Sequence, residues 1–500
     1  MKTYGRTTIY ANYTEEEILS ANEEKQKEII IEILKNSIGI HEKNKLETKY
    51  LNDYYKGIQD IYTEKKKTTR PEIDNKTVEN WAYAFIDFKK GWLLGKPIQY
   101  VQLAEEAEVG LTKLNKFCRT NNKGTKDSLL FEDILIGGRG FRFINPKKTN
   151  DGSECPFNII NVDNCLCEVV YSSQIGNEQL LSYIETSMKY IDTNDKNKEK
   201  YYSIYNVYLR NKMYVVNTKN NWVIEEDKTK ALIMNEHYIT EYYLNKNRIS
   251  LIELGKDLFN DINYLESLDK DDMEQFVNAI MVFTNAEVNT DDIEAIRKLG
   301  AVSISSTEGR EAKVALLEQR LNANTTNTYY SRLLNALHQI LGVPKAGDTG
   351  EVSYGDTGQA RLTGQGFTSA GIRATNDETM FSMCDMNAMI IILKICKEKS
   401  KEFASLNMGD FEPRFNRDKN DNLLVKTQAL LNLLDADIPR AIANAQIGLF
   451  NDPGEVTHEQ NKLFGQQTSK REVSNLSNAD KANEQNNKIT NIEQKNIQNS

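Results

Sequence analysis

Five carboxylates on one predicted helix form the group of side chains best suited to metal-dependent catalysis. They are Asp257, Asp261, Asp271, Asp272 and Glu274. Carboxylates that hold divalent cations serve many metal-dependent nucleases, which would predict DNA cleavage. Such a site needs carboxylates that converge from different elements, and these five also fit the solvated face of a single helix. We favour the solvated face and keep the nuclease as an alternative.

Two glycine-containing segments invite comparison with phosphate-binding loops. Residues 342–358 contain five glycines, but no Gly-Lys-Ser/Thr motif and no preceding strand pattern. The segment 91–97 resembles a Walker A loop superficially, yet Pro97 stands where a metal-binding hydroxyl is needed. We therefore predict a mobile loop for 342–358 and a helix end at Gly95.

The cysteines and histidines show no site pattern. The six cysteines lack CxxC spacing, and the four histidines stand alone. Cys165 and Cys167 are expected to share one strand face as small packed side chains. His338 lies beside an apolar stripe without a catalytic partner motif. From these patterns we expect no catalytic residue, no metal and no cofactor.

Composition limits the class of protein further. The 500 residues carry a net charge of −9 and have a mean hydropathy of −0.59. That charge argues against a general basic surface that grips nucleic acid, although it permits DNA to pass close by. There is no signal-peptide pattern, and the longest apolar run, Met389–Leu393, is too short to cross a bilayer. We expect reduced thiols, a cytoplasmic setting and no membrane contact.

The elements that must position these residues follow from periodicity. Helical spacing covers residues 15–62 and 78–93, and alternation typical of antiparallel hairpins runs from 131 to 243. From Ser250 an apolar stripe with three-four spacing predicts a rod of roughly 50 Å. The stripe is made up of Leu258, Ile262, Leu265, Phe276 and Ile280, among others.

The second half of the chain is predicted to alternate helices with short mixed segments. Residues 289–318 are predicted to form a small α/β unit. A second helix is predicted over Asn327–Leu341, with Leu333 and Leu337 on its apolar side. A long helix, apolar nearly all round from Met386 to Cys396, follows the glycine-rich loop. A strand at 411–416 and two short helices, 421–434 and one from Pro439, complete the folded part.

Four stretches in order give the chain a family resemblance. They are 75–100 (NKTVENWAYAFIDFKKGWLLGKPIQY), 258–263 (LFNDIN) with 278–282 (NAIMV), 354–360 (YGDTGQA), and 415–453 with its KTQAL, IP and GLFNDP segments. In these stretches the chain resembles the portal proteins of tailed bacteriophages, the head-to-tail connectors of siphophage type. The sequence departs from the pattern by three glycines, at 364, 366 and 371, where the long helix should begin.

The resemblance implies an α+β portal fold that forms rings. It comprises a mixed α/β wing, a long helical stem, a small α/β clip, a long kinked wing helix and a helical crown. The implied divisions are 1–249 (N-terminal wing), 250–283 (first stem helix), 284–322 (clip), 323–342 (second stem helix), 343–358 (tunnel loop), 359–406 (wing helix), 407–454 (crown) and 455–500 (a tail whose composition predicts disorder).

The resemblance also implies a function and partners. A dodecameric ring at one capsid vertex would let double-stranded DNA pass during packaging and ejection. Implied partners are the large terminase subunit, a head-completion or adaptor protein, and the major capsid and scaffold proteins, with assembly in the host bacterial cytoplasm. We expect the tunnel loop to face DNA through Val343, Lys345, Gly347, Gly350 and Ser353. We expect the stem to pack between subunits through Leu258, Ile262, Leu265, Phe276, Ile280, Leu333 and Leu337. A channel-less helical adaptor or scaffold is a further alternative.

Overall fold

The computed structural model of the chain describes most of the predicted elements. The described residues are 4–66, 71–103, 108–148, 154–191, 199–219, 222–277, 280–284, 313–317, 323–345, 367–415, 417, 423–447, 450, 456 and 460. They combine helices and sheets, so the α+β class is confirmed. The predicted tail, 455–500, lies outside the described residues except for 456 and 460.

The chain divides into two compact units. The first consists of residues 1–91, 128–144 and 160–388. The second consists of residues 92–127, 145–159 and 389–500. Both units therefore draw on distant parts of the sequence.

The first unit begins with two capped helices, α1 (Glu15–Ser20) and α2 (Glu23–Tyr55). Thr14 forms a capping box with Glu17, and the Asn22 side chain accepts the backbone N–H of Lys25. The apolar face of α2 is buried in the main core of this unit, through Ile29, Ile30, Ile33 and Leu34.

Seven of the described strands form the sheet that this core covers. They are β1 (Ile9–Ala11), β5 (Cys167–Ser172), β6 (Gln179–Ile191), β7 (Glu199–Tyr208), β8 (Lys212–Asn217), β9 (Val223–Ile224) and β10 (Lys230–Ala231). The order is β1-β5-β6-β7-β8-β10, with β9 also paired to β8. The pairs from β5 onward are antiparallel, as predicted, whereas β1 joins β5 in parallel.

A second sheet has the order β11-β3-β4. Its strands are β3 (Arg139–Pro146), β4 (Phe157–Val162) and β11 (Ile239–Tyr243). The predicted start of alternation at Phe131 is wrong, because α6 (Lys123–Gly137) continues through it. Leu130, Phe131, Ile134 and Leu135 keep three-four spacing and are buried. The turn to β3 falls at Gly138 (φ +84°), where a Cβ would lie 1.9 Å from the carbonyl oxygen of Arg248.

Long helices follow the sheets in the first unit. They are α7 (Leu251–Val277), α8 (Ala323–Leu341) and α9 (Phe367–Lys399), the last of which runs into the second unit. Between α7 and α8 lies a hairpin of β12 (Ile280–Thr284) and β13 (Lys313–Leu317). Shorter helices, α3 (Ile61–Glu64) and α4 (Trp81–Leu94), precede the sheets.

The predicted continuation of the first rod to residue 283 is wrong. Ile280 pairs with Leu317 in the β12–β13 hairpin instead of extending α7. The run Ile-Met-Val-Phe-Thr is rich in β-branched and aromatic residues, which favour strands. Short apolar runs of this kind do not distinguish helix from strand by periodicity alone.

The second unit is built on a small antiparallel ribbon. In it β2 (Gln99–Gln102) pairs with β14 (Phe411–Arg414), which confirms both predicted strands. The Phe403 ring stacks on Phe117 of α5 (Glu108–Thr120). The helices α10 (Leu423–Asp435) and α11 (Arg440–Ile447) lie close to their predicted positions.

Among the described residues, one helical segment, Ser369–Lys399, is long and apolar enough to cross a membrane. Its most apolar window is 56% buried within the chain. Core helices pass the same length and composition test.

Candidate functional site

Helices α7 and α8 pack against each other at a glycine contact. A Cβ on Gly255 would lie 2.9 Å from the Phe259 ring and 3.0 Å from Leu337 Cδ2. Phe259 and Leu337 are 1% and 0% exposed. The absence of a side chain at Gly255 therefore allows the two helices to approach closely.

An aromatic cluster fixes this pair to α4. The Phe85 ring lies 6.1 Å from Phe259 and 5.0 Å from His338, and Trp81 lies 6.4 Å from His338. Tyr330 donates a 2.8 Å hydrogen bond to Glu79, just before α4. His338 is therefore a packing residue, as the sequence suggested.

Three of the seven predicted subunit-packing residues are buried inside the chain. Ile262, Leu333 and Leu337 are 0%, 6% and 0% exposed, because α7 and α8 bury their apolar stripes on each other and on α4. Leu258 and Leu265 are half-buried. The predicted contact between subunits stays a prediction. The side chains of Phe276 and Ile280 lie outside the described part.

The predicted solvated acidic face of α7 is also only partly correct. Asp271 is 1% exposed and accepts hydrogen bonds from Lys65 Nζ (2.7 Å) and from the Asn75 backbone N–H (2.7 Å). Burial acts to raise the pKa of Asp271, but hydrogen bonds from Lys65 and Asn75 hold it below its ordinary value. Asp257 and Asp261 are exposed. The carboxylates do not converge as a nuclease site would require.

The end of α8 is capped from two sides. Gly342 (φ +67°) allows the Val343 N–H to reach the His338 carbonyl, and His338 Nδ1 contacts the Val343 oxygen at 3.0 Å. Arg373 of α9 donates to the carbonyls of Ile340 and Gln339. A Cβ on Gly342 would collide with Arg373.

The first residue of the predicted DNA-facing loop, Val343, takes part in this helix cap. Val343 is 7% exposed and belongs to the helix cap, so its side chain does not face outward. Lys345 is half-exposed and is the last residue described before the loop. Gly347, Gly350 and Ser353 lie outside the described residues, so their predicted role stays a prediction.

A buried ion pair holds α9 to the second sheet. Arg142 Nη1 lies 3.3 Å from Asp385 Oδ1, and both side chains are fully buried. Tyr242 donates a 3.0 Å hydrogen bond to the same carboxylate oxygen. The helix that follows the loop is thus anchored by charge as well as by apolar packing.

A buried charge cluster that the sequence did not reveal links α2 to the main sheet. His41 Nδ1 lies 3.3 Å from Glu168, and Nε2 lies 3.1 Å from Glu185. Arg139 donates two 2.6 Å bonds to Glu168, and Lys45 donates a 2.7 Å bond to Glu185. Burial lowers the pKa of His41, but the two carboxylates outweigh it and raise the pKa. Each ring nitrogen faces a carboxylate oxygen, so the contacts favour the doubly protonated ring.

This cluster also bears on metal binding. Among the described His, Cys, Asp and Glu side chains, one group of three, His41, Glu42 and Glu185, has its ligand atoms close enough together to hold an ion. Lys45 and His41 already contact the Glu185 carboxylate, so protein groups occupy this position. The prediction that Cys165 and Cys167 share one strand face is wrong. Cys165 lies in the turn before β5, where its backbone N–H donates to Asp163 Oδ1.

The described residues form an α+β fold in which helices pack closely, helix ends are capped and buried ion pairs link distant elements. Residues 34–350 match the family described as phage portal protein, SPP1 Gp6-like. The chain belongs to that family, and its function is that of a phage portal protein, a component of the capsid. None of the curated proteins compared with the chain matches it significantly.

Proposed function

We propose that the chain is the subunit of a dodecameric ring at one capsid vertex, through which double-stranded DNA enters and leaves. The family match carries this proposal, because it runs through α7 and α8 and into the glycine-rich loop. We assign α7 and α8 to the stem, 284–322 to the clip, 343–358 to the tunnel loop, α9 to the wing helix and 407–454 to the crown.

Exposed residues on α7 supply the contacts between subunits in this proposal. Ile262, Leu333 and Leu337 are buried within one chain, so in this proposal the contacts between subunits include other, exposed residues. Leu254, Tyr264 and Met273 are 54%, 48% and 64% exposed in one chain. Contacts of one patch with a different patch on the next copy close into a ring when the rotation is suitable.

The outer face of α8 suits a surface along which DNA slides. A shallow groove of about 650 Å³ follows this face. It is lined by uncharged side chains and one arginine, namely Asn327, Thr328, Ser331, Arg332, Asn335, Ala336 and Gln339. Few charges mean few neutralised phosphates and hence weak, exchangeable contact. Lys345 adds one positive charge per subunit at the loop.

The partners follow from the same assignment. The clip would meet the large terminase subunit during packaging and a head-completion protein afterwards, and the wing would meet major capsid and scaffold proteins. Assembly would take place in the host bacterial cytoplasm.

Electron microscopy of the purified chain tests the proposal. We expect rings with a central hole. A channel-less adaptor would give particles without a hole, and a nuclease would degrade DNA when Mg²⁺ is added.

A further inference from the structure

A polar cavity of about 530 Å³ lies between α2, α6 and the turn after β4. Asp133 of α6 and Asn164 of the turn line it, together with Asp163. Asn164 is only 6% exposed, and Asp133 is half-buried. This cavity plays no part in the proposed channel.

Asn164, one of the residues that line this cavity, has a side-chain oxygen without a partner among the described residues. Its Nδ2 donates to the backbone oxygens of Arg139 (2.6 Å) and Asp133 (3.3 Å), which fixes the orientation of the amide. Its Oδ1 is buried and has no hydrogen-bond partner within the described residues. Buried polar atoms without a partner are uncommon and call for a ligand or an ordered water.

Asp133 contributes a half-buried carboxylate to the cavity lining. Within the described part of the chain, this carboxylate makes no hydrogen bond or ion pair. A half-buried carboxylate without a partner is stabilised by a cation that replaces part of its hydration.

The positive charges around the cavity lie at its mouth. Lys49 of α2 and Lys56 at its C-cap line it but are exposed, and half-buried Asp53 lies between them in the sequence. Their ammonium groups therefore keep their solvent, whereas Asn164 is buried and Asp133 is half-buried. An anion held by the two lysines is the competing occupant.

We propose that this cavity binds a divalent cation through the carboxylates of Asp133 and Asp163 and the amide oxygen of Asn164, with water completing the shell. Carboxylate and amide oxygens are ligands for Ca²⁺ and Mg²⁺. Ca²⁺ is the better fit, because it tolerates irregular geometry and takes six to eight oxygens.

Calorimetric titration of the full-length, chelator-treated protein with CaCl₂ and MgCl₂ tests this site. We expect one saturable Ca²⁺ site per chain. Asp133→Asn should weaken binding by at least about tenfold, since ligand charge sets the affinity of such sites. Asp163→Asn should act in the same direction, and its amide oxygen can still accept the Cys165 N–H. Lys49→Gln should tighten binding by removing an opposing charge.

Asp227→Asn, at an exposed carboxylate outside the cavity, is the matched control and should bind like the parent. Circular dichroism of each metal-free variant separates lost binding from lost folding. If Asp133→Asn misfolds, the other two variants still test the site. Asp163→Asn should weaken Ca²⁺ binding, whereas Lys49→Gln should tighten it. Absence of saturable binding at millimolar metal, or unchanged binding in the Asp163→Asn or folded Asp133→Asn variant, overturns the proposal. So does phosphate binding that Lys49→Gln weakens, which would make the cavity an anion site.

Discussion

Replacing Leu337 by Ala separates packing within the chain from packing between subunits. Leu337 is 0% exposed and lies against Gly255. The substitution removes three buried carbons, which costs about 2 kcal/mol of transfer free energy. The cavity left behind raises the loss to about 3–4 kcal/mol, since the helix pair can close only partly around it. We expect urea unfolding, followed by circular dichroism, to show this loss.

Met273→Ala is the matched control because Met273 is 64% exposed. It should change the unfolding free energy of the chain by no more than about 0.5 kcal/mol, while weakening ring assembly seen by light scattering after size exclusion. The variants must be compared at equal protein concentration, because association shifts apparent stability. A Leu337→Ala protein that keeps its stability but loses its rings would show that the α7–α8 seam is a subunit interface after all.

Three further changes test other parts of the structure. Asp385→Ala should lower the unfolding free energy by about 3–5 kcal/mol, because it leaves Arg142 buried and unpaired; a loss below about 1 kcal/mol in urea would contradict this. Deleting Ala346–Ser353 should leave ring formation intact but reduce DNA packaging in vitro; failed assembly or normal packaging would refute the assignment of this loop. The raised folded-state pKa of His41 means that its stabilisation is full below about pH 6.5 and is lost as the pH rises through the folded value. His41→Gln should therefore flatten the stability profile on the alkaline side, and an unchanged profile would argue against a doubly protonated ring.

The sequence predicted the long helices well because their apolar stripes are long and regular. The stripe of α8 identified Leu333 and Leu337 as apolar contacts, but periodicity shows that a face is buried and not what buries it. The stripe of α8 packs on α7 and α4 within the chain, and its assignment to subunit contacts stays a prediction. The strand at Ile280 was missed because a five-residue apolar run fits either structure.

The charged groups were the least predictable part of the molecule. His41 meets Glu168 and Glu185, which lie 127 and 144 residues away in sequence, so no local spacing signals the cluster. The pairing of Arg142 with Asp385 spans 243 residues. By contrast, the end of the helix at Leu341 was predicted, because the glycine-rich segment begins at the next residue.

Ring formation by the purified chain is the property that a portal subunit must have. Negative-stain electron microscopy with class averaging, combined with light scattering after size exclusion, measures this without reference to any single residue. We predict closed rings with a central hole and a mass of about twelve chains. A stable, monodisperse monomer across a range of salt and protein concentrations would contradict the account.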